Sequence, residues 1–172
     1  MKAINWLFGN AAFVRLALNA WPPFWGAGIK IETLSDDFRF CRVTLKRRWW
    51  NANANGTQTG GSMFAMTDPI YPLMLMGHFK NRYYVWDKAG SISYVKPGKG
   101  MLVAEFNLTD IKLAAMVAAT EGGRKHFPEF EVDVQEVSGE LVAHVKRVLY
   151  LRAKPEFRSA DDTAPQSTSG HS

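Results

Sequence analysis

The stretch from Asn53 to Asp68, with the apolar run that follows it to about Phe79, constrains this chain more than any other. A polar loop, Asn53-Ala54-Asn55-Gly56-Thr57-Gln58-Thr59, leads into Gly60-Gly61. Met63, Phe64, Met66, Ile70, Leu73, Met74, Leu75 and Met76 follow, with one carboxylate, Asp68, set among them. Periodicity does not separate helix from strand here, and length decides for a buried helix. Gly56 lets the loop turn sharply, and Gly60-Gly61 removes the Cβ atoms that would keep another molecule away from the backbone. Amides opening such a helix are unpaired donors at the positive end of its dipole, suited to a carbonyl oxygen or an anion. Pro69 and Pro72 each lack an N–H and crowd the carbonyls of Ala65 and Asp68, so a kink is expected.

Distance adds a second constraint. Eight residues separate Gly60 from Asp68, roughly 12 Å at about 1.5 Å per residue. One helix therefore does not bring both groups to one reacting carbon. An antiparallel pair of helices in a homodimer would place Gly60 of one chain near Asp68 of the other and create two identical sites.

The chain has 172 residues, 47% of them apolar, which fits one compact domain. The single cysteine, Cys41, excludes an intrachain disulfide and reads as buried filler in a strand. Formal charge is +5, and residues from Ser159 onward hold two aspartates and no Lys or Arg, so the remainder carries 21 cations against 14 anions, or +7. That surplus draws anions in general: nucleic acid, acidic lipid or the phosphates of a coenzyme A ester. No apolar run reaches the roughly 20 residues that span a bilayer. Residues 1–8 look like the opening of a signal peptide, but Asn5, Asn10, Arg15 and Asn19 interrupt it, so a cytoplasmic location is expected.

Taken in order, residues 3–20 have helical spacing and Trp21-Pro22-Pro23-Phe24-Trp25 ends the run. A helix lying over a sheet or a partner subunit is the preferred reading of this segment; attachment to a membrane surface is the other. Residues 28–34 and 38–48 alternate around Ser35-Asp36-Asp37 as a β-hairpin. Trp49-Trp50 is expected to pack against the following helix. A long strand over 83–95, another over 100–108, a helix over 111–120 stopped by Gly122-Gly123, and a hairpin of 130–137 with 141–151 complete the pattern. The fold class is α+β, an antiparallel six-stranded sheet wrapped around a long central helix, with an N-terminal helix. The boundaries are 1–23 for an N-terminal helical extension, 24–153 for the domain and 154–172 for a disordered tail.

This order, with Asn53-x-x-Gly56-x-x-Thr59-Gly60-Gly61 and then Asp68, resembles the hotdog-fold acyl-CoA thioesterases, in particular the phenylacetate-pathway (PaaI-like) branch. Those enzymes carry Asn-x-x-Gly-x-x-His-Gly-Gly and an acidic residue nine positions after the His; Asp68 is nine after Thr59. Arg48-Trp49-Trp50-Asn51, Asp68-Pro69, Trp86-Asp87-Lys88-Ala89 and Lys96-Pro97-Gly98 are similar to a bacterial branch of unassigned function. The resemblance spans about residues 24–152. It implies Asp68 as general base or nucleophile, Gly60 as the backbone N–H that polarises the thioester carbonyl, and Asn53 as a side chain positioning water or carbonyl. It further implies Thr59, Gly61, Gly56 and Asp87 as substrate-binding positions. The departure is Thr59 for His, which keeps a hydrogen-bonding group without a titratable nitrogen. A carboxylate in an apolar helix is expected to be a better base near neutrality, and one oxyanion donor is typically worth about 3 kcal/mol.

Other readings compete. Asp68 can cap a neighbouring turn or pair with Lys88. The four histidines show no metal-ligand spacing, and no nucleophile elbow, phosphate loop or dinucleotide fingerprint is present. Lys96, Lys99, Arg124 and Lys125 are candidates for coenzyme A phosphates or for plain solvated charge. The expected function is therefore thioester hydrolysis on an acyl-CoA or acyl carrier, with no cofactor beyond coenzyme A as part of the substrate. The expected partner is the chain itself, as a homodimer or dimer of dimers, without nucleic acid or a membrane span. The alternative is a non-catalytic hotdog module that binds acyl-CoA or fatty-acyl groups.

Overall fold

The computed structural model describes residues 9–158, so the start of the expected N-terminal helix and residues 159–172 of the expected tail lie outside the described residues. Residues 154–158, also expected in that tail, hold a 3-10 turn at Pro155–Phe157 and a bond from the Lys154 amide to the Arg82 carbonyl at 3.0 Å. Helix α1 (Ala11–Ala20) is opened by Asn10, whose Oδ1 accepts from the Phe13 amide at 3.1 Å. Pro22 and Pro23 do not simply end this run. They start a second helix, α2 (Pro22–Ala27), because a proline at the first helical position gives up only an amide that has no partner there. Gly28 stops it at φ 81, where a Cβ would lie 2.5 Å from the Lys46 carbonyl oxygen.

Strands β1 (Ile29–Leu34), β2 (Phe40–Leu45), β3 (Tyr83–Tyr94), β4 (Leu102–Asn107), β5 (Glu129–Glu136) and β6 (Leu141–Ala153) form one sheet in the order β1-β2-β4-β5-β6-β3. Every pairing is antiparallel. Both expected hairpins form, and the long third strand lies at the edge opposite β1, joined to β6. Between β4 and β5, helix α5 (Asp110–Ala119) is capped by the Thr109 hydroxyl and followed by a 3-10 turn at Glu121–Gly123.

The central segment is two helices, α3 (Gly60–Ala65) and α4 (Ile70–His78), separated by a turn over Met66-Thr67-Asp68-Pro69. The expected kink is a break. Pro69 brings no amide to the Ala65 carbonyl, which accepts instead from the Asp68 amide at 3.3 Å. Beyond the break, α4 buries Ile70, Tyr71, Met74 and Leu75 against Phe106, Phe130, Leu149 and Leu151 of the sheet. The Tyr71 ring stacks on Phe130 at 4.2 Å and meets Phe106 edge-on at 5.1 Å. Each such side chain contributes about 1.5–3 kcal/mol through burial. Cys41 is buried in β2, where desolvation pushes its thiol up to about 12, in keeping with filler.

Candidate functional site

Strand β6 presents Val145, Arg147, Leu149 and Leu151 to the interior, and Arg147 is only 3% exposed. Gly90 of β3 stands opposite it. A Cβ on Gly90 would lie 2.9 Å from the Phe64 ring and 3.2 Å from Arg147 Nη1, so glycine makes the space in which the guanidinium sits. A β-bulge between Asp87 and Ala89 leaves Lys88 as the extra residue and lets Asp87 and Gly90 both reach the inner face. Lys88 faces the other way, its Nζ 4.0 Å from the centre of the Phe127 ring.

Arg147 completes the break in the central segment. Its Nη2 donates to the Phe64 carbonyl and to Thr67 Oγ1, both at 3.0 Å, and its Nη1 donates to Asp68 Oδ1 at 2.7 Å. The Phe64 carbonyl also accepts from the Thr67 hydroxyl at 2.8 Å, and the guanidinium lies 4.1 Å over the Phe64 ring. Carbonyls freed at a helix C-terminus attract a cation, and this one fills the place of the interrupted ladder. The partner of Asp68 is thus Arg147 and not Lys88. Asp68 is also 58% exposed, so its carboxylate does not sit in the apolar surroundings expected from the sequence.

Asp87 is the third member. Its Oδ1 stands 3.6 Å from Arg147 Nη1, an ion pair too long for a hydrogen bond, and neither Asp87 Oδ1 nor Arg147 Nε finds a hydrogen-bond partner among the described residues. Burial pushes its carboxyl up to about 6, the Arg147 charge pulls it down, and the like charge of Asp68 adds to the rise. Arg147 was not a candidate from the sequence, although a charge at an inward position of Val145-x-Arg147-x-Leu149-x-Leu151 is a readable sign.

Gly60 lies elsewhere. Thr59 precedes α3 in extended conformation and donates its hydroxyl to Ser62 Oγ at 2.6 Å. A Cβ on Gly60 would fall 2.6 Å from Tyr94 Oη, whereas one on Gly61 would meet open space. Gly60 lines a groove of about 450 Å³ with Asn53, Met63, Tyr94, Lys96 and Pro97, and Asp68 is not in its wall. The Asn53 amide is committed to its own loop. Its Oδ1 accepts from the Asn55 and Thr57 amides at 3.0 Å, and its Nδ2 donates to Thr57 Oγ1 at 2.9 Å and to the Gln58 carbonyl at 3.3 Å. Gly56 closes that loop at φ 70. Gln58, also missed in the sequence, is buried and pins the loop to the sheet, donating to the carbonyls of Leu45 at 3.1 Å and Gly100 at 3.0 Å.

Two of the four cationic candidates are occupied locally. Lys96 pairs with Glu140 and, at 3.8 Å, with Glu136, while Arg124 donates to the Ala118 carbonyl at 3.1 Å. Among the described residues no three His, Cys, Asp or Glu side chains converge to hold a metal ion, and no helix is long and apolar enough to cross a membrane. Trp50 packs on Trp25 and donates to the Gly26 carbonyl rather than packing on α3, and Trp49 is 89% exposed.

Against known proteins, the family model described as a domain of unknown function (DUF4442) matches residues 9–151. No curated protein matches the sequence. Among solved structures, a Pseudomonas aeruginosa protein of unknown function described as a probable thioesterase is 21% identical. The alignment covers 83% of this chain and 95% of that one at a TM-score of 0.70. A Haemophilus influenzae thioesterase is 13% identical, with 84% and 91% covered and a TM-score of 0.62. The PaaI protein of the E. coli phenylacetic acid degradation operon is 15% identical, with 82% and 91% covered and a TM-score of 0.57. At these identities the likeness establishes the hotdog fold.

Proposed function

The chain belongs to the DUF4442 family, and from that premise and the geometry at Asp68 we propose that it hydrolyses an acyl thioester of the coenzyme A or acyl-carrier type. The observation that carries the reading is the setting of Asp68: an exposed carboxylate at a helix break, aimed by a buried arginine that takes Oδ1 and leaves Oδ2 for a water molecule. In the proposed step the water gives a proton to Asp68 while its oxygen bonds to the thioester carbonyl carbon. The carbonyl oxygen accepts from the Gly60 N–H as negative charge builds on it. Collapse of the tetrahedral intermediate breaks the C–S bond, and the thiolate leaves and takes up the proton. The structures described above as thioesterases have this fold, which supports the reaction class without naming the acyl group.

The reading requires a second copy of the chain, because the Gly60 groove and Asp68 occupy different parts of one protomer. Strand β3 supplies a means of pairing. It is twelve residues long, forms one edge of the sheet, and has no strand on its outer side among the described residues. Two-fold pairing of β3 edges would bring each Gly60 groove toward the partner's helix break. Thr59 favours one alternative, a module that binds acyl-CoA without hydrolysing it, since a threonine stands where the resembling enzymes have His and its hydroxyl is engaged with Ser62.

Thiol release from short, medium, long and aromatic acyl-CoA esters, measured for wild type and Asp68→Asn, tests the proposal. Turnover falling at least about 100-fold in the variant, with thermal stability kept, supports it. Ester binding without turnover by wild type moves the assignment to the binding module.

A further inference from the structure

One surface takes no part in this chemistry. On α1, Val14 and Ala11 are buried, while Ala12, Leu16, Ala17 and Ala20 face solvent as an apolar stripe, with Leu16 66% exposed. The Trp25 amide bonds to the Trp21 carbonyl at 3.0 Å, so these indoles follow one another by a helical turn, and both are exposed. The loop after β2 brings Trp50 to within 6.4 Å of Trp25 and Trp49 to within 5.5 Å of Trp50, ring centre to ring centre. Exposed apolar surface on this scale marks an interaction site.

The charge around it is predominantly positive. Lys30, Lys46 and Arg48 line a groove of about 530 Å³ with Trp25 and Trp50, and Arg48 lies 5.2 Å over the Trp50 ring. Arg15 reaches the Glu32 carbonyl at the same groove. The acid lining it, Glu32, is paired with Arg42 at 3.3 Å. We propose that this face, carried by α1, α2 and the loop after β2, docks the protein on an anionic lipid surface.

Indole rings with apolar bodies and a polar N–H edge suit the headgroup boundary, an aliphatic helix stripe suits the acyl region beneath it, and the flanking cations match the negative surface potential. A two-fold contact with a second copy would set the same cations against one another, which disfavours that occupant. Bases would stack on the tryptophans, but Leu16 and the alanines give nucleic acid nothing to bind. The face lies by β1, at the sheet edge opposite β3, so docking and β3 pairing do not compete.

Co-sedimentation of the full chain with vesicles of equal parts phosphatidylcholine and phosphatidylglycerol, against phosphatidylcholine alone, tests this. The expected result is partition onto the anionic vesicles with a blue shift of tryptophan emission, both declining as salt is raised. Lys46→Glu/Arg48→Glu and, independently, Trp25→Ala/Trp49→Ala are each expected to weaken partition more than about tenfold. The two pairs probe charge and insertion separately, so one suffices if the other fails to fold. Equal binding to both vesicle types, or undiminished binding by folded variants, would overturn the proposal. So would tryptophan-dependent self-association without lipid, or oligonucleotide binding that displaces the vesicles.

Discussion

Arg147 Nη1 donates to Asp68 Oδ1 at 2.7 Å across 79 residues of sequence, and the same guanidinium group closes the C-terminus of α3 through the Phe64 carbonyl. One side chain thus fixes both the end of a helix and the direction of the carboxylate beside it. In the proposed reaction Arg147 would act through Asp68, as a positioning residue.

Arg147→Met is expected to destabilise the fold by about 3 kcal/mol, because it orphans Asp87 and removes three hydrogen bonds at the helix break. Adding Asp87→Asn should recover part of that loss, since the second change removes the buried charge left behind. Arg147→Lys keeps the charge without the planar fork, so it should retain more stability than activity. Urea unfolding of the single and double variants, with kcat measured separately from KM, checks this pattern.

The raised Asp87 carboxyl makes stability depend on pH in a stated direction. Its value of about 6 in the fold lies above the ordinary 3.8, so between those values the folded state binds the proton more tightly than the unfolded state. Stability from this group is therefore fully present below 3.8 and is lost as pH rises through about 6. The side chain is one quarter exposed, which limits the loss to the order of 2 kcal/mol. Asp87→Asn should remove this part of the pH dependence, visible as converging wild-type and variant urea midpoints toward acid pH and a gap that opens in favour of the variant above pH 6. Parallel curves would exclude Asp87 as the source.

Gly60→Ala separates approach from folding. The new methyl would displace the Tyr94 hydroxyl, the end of a half-exposed side chain, so stability should change by less than about 1 kcal/mol. Thiol release should fall at least about tenfold if an acyl carbonyl must reach the Gly60 amide. Gly61→Ala, which meets open space, is the control for the backbone change itself.

Placing lysines at Ser91 and Ser93 puts like charges on the β3 edge, and edge lysines oppose strand addition. If the proposed β3-paired dimer forms, Ser91→Lys/Ser93→Lys is expected to lower the mass in light scattering to that of a monomer and to abolish the proposed thioester hydrolysis without unfolding the chain. An unchanged mass with unchanged activity would remove β3 as the pairing edge.

The fold was legible because its signals are local. Alternation over Phe40–Leu45 and Glu129–Glu136, the turn at Ser138-Gly139 and the glycine stop after α5 all rest on near neighbours in sequence. The proline pair announced a disturbance, but a kink and a break differ by how the freed carbonyls are satisfied. That depends on Thr67 and on an arginine far along the chain. Asp68 stood out by spacing, yet its exposure and partner depend on β6, on the space at Gly90 and on the bulge that turns Lys88 outward. Trp49 and Trp50 misled for the opposite reason: large apolar side chains imply packing, and here they remain largely outside the core.

The break between α3 and α4 divides labour within what would otherwise be a single rod. Core burial falls chiefly to α4, while α3 and the turn carry Gly60 and Asp68 beside the buried Met63 and Met66. Repacking Met74 or Leu75 would be read out first in melting temperature, whereas changing Thr67, which is buried, or Phe64, which packs against the core, would disturb the aim of the carboxylate and the packing together. Within this joint of four residues Met66 and Thr67 are buried and Asp68 is exposed, so the direction of an outward carboxylate is tied to the packing of the interior.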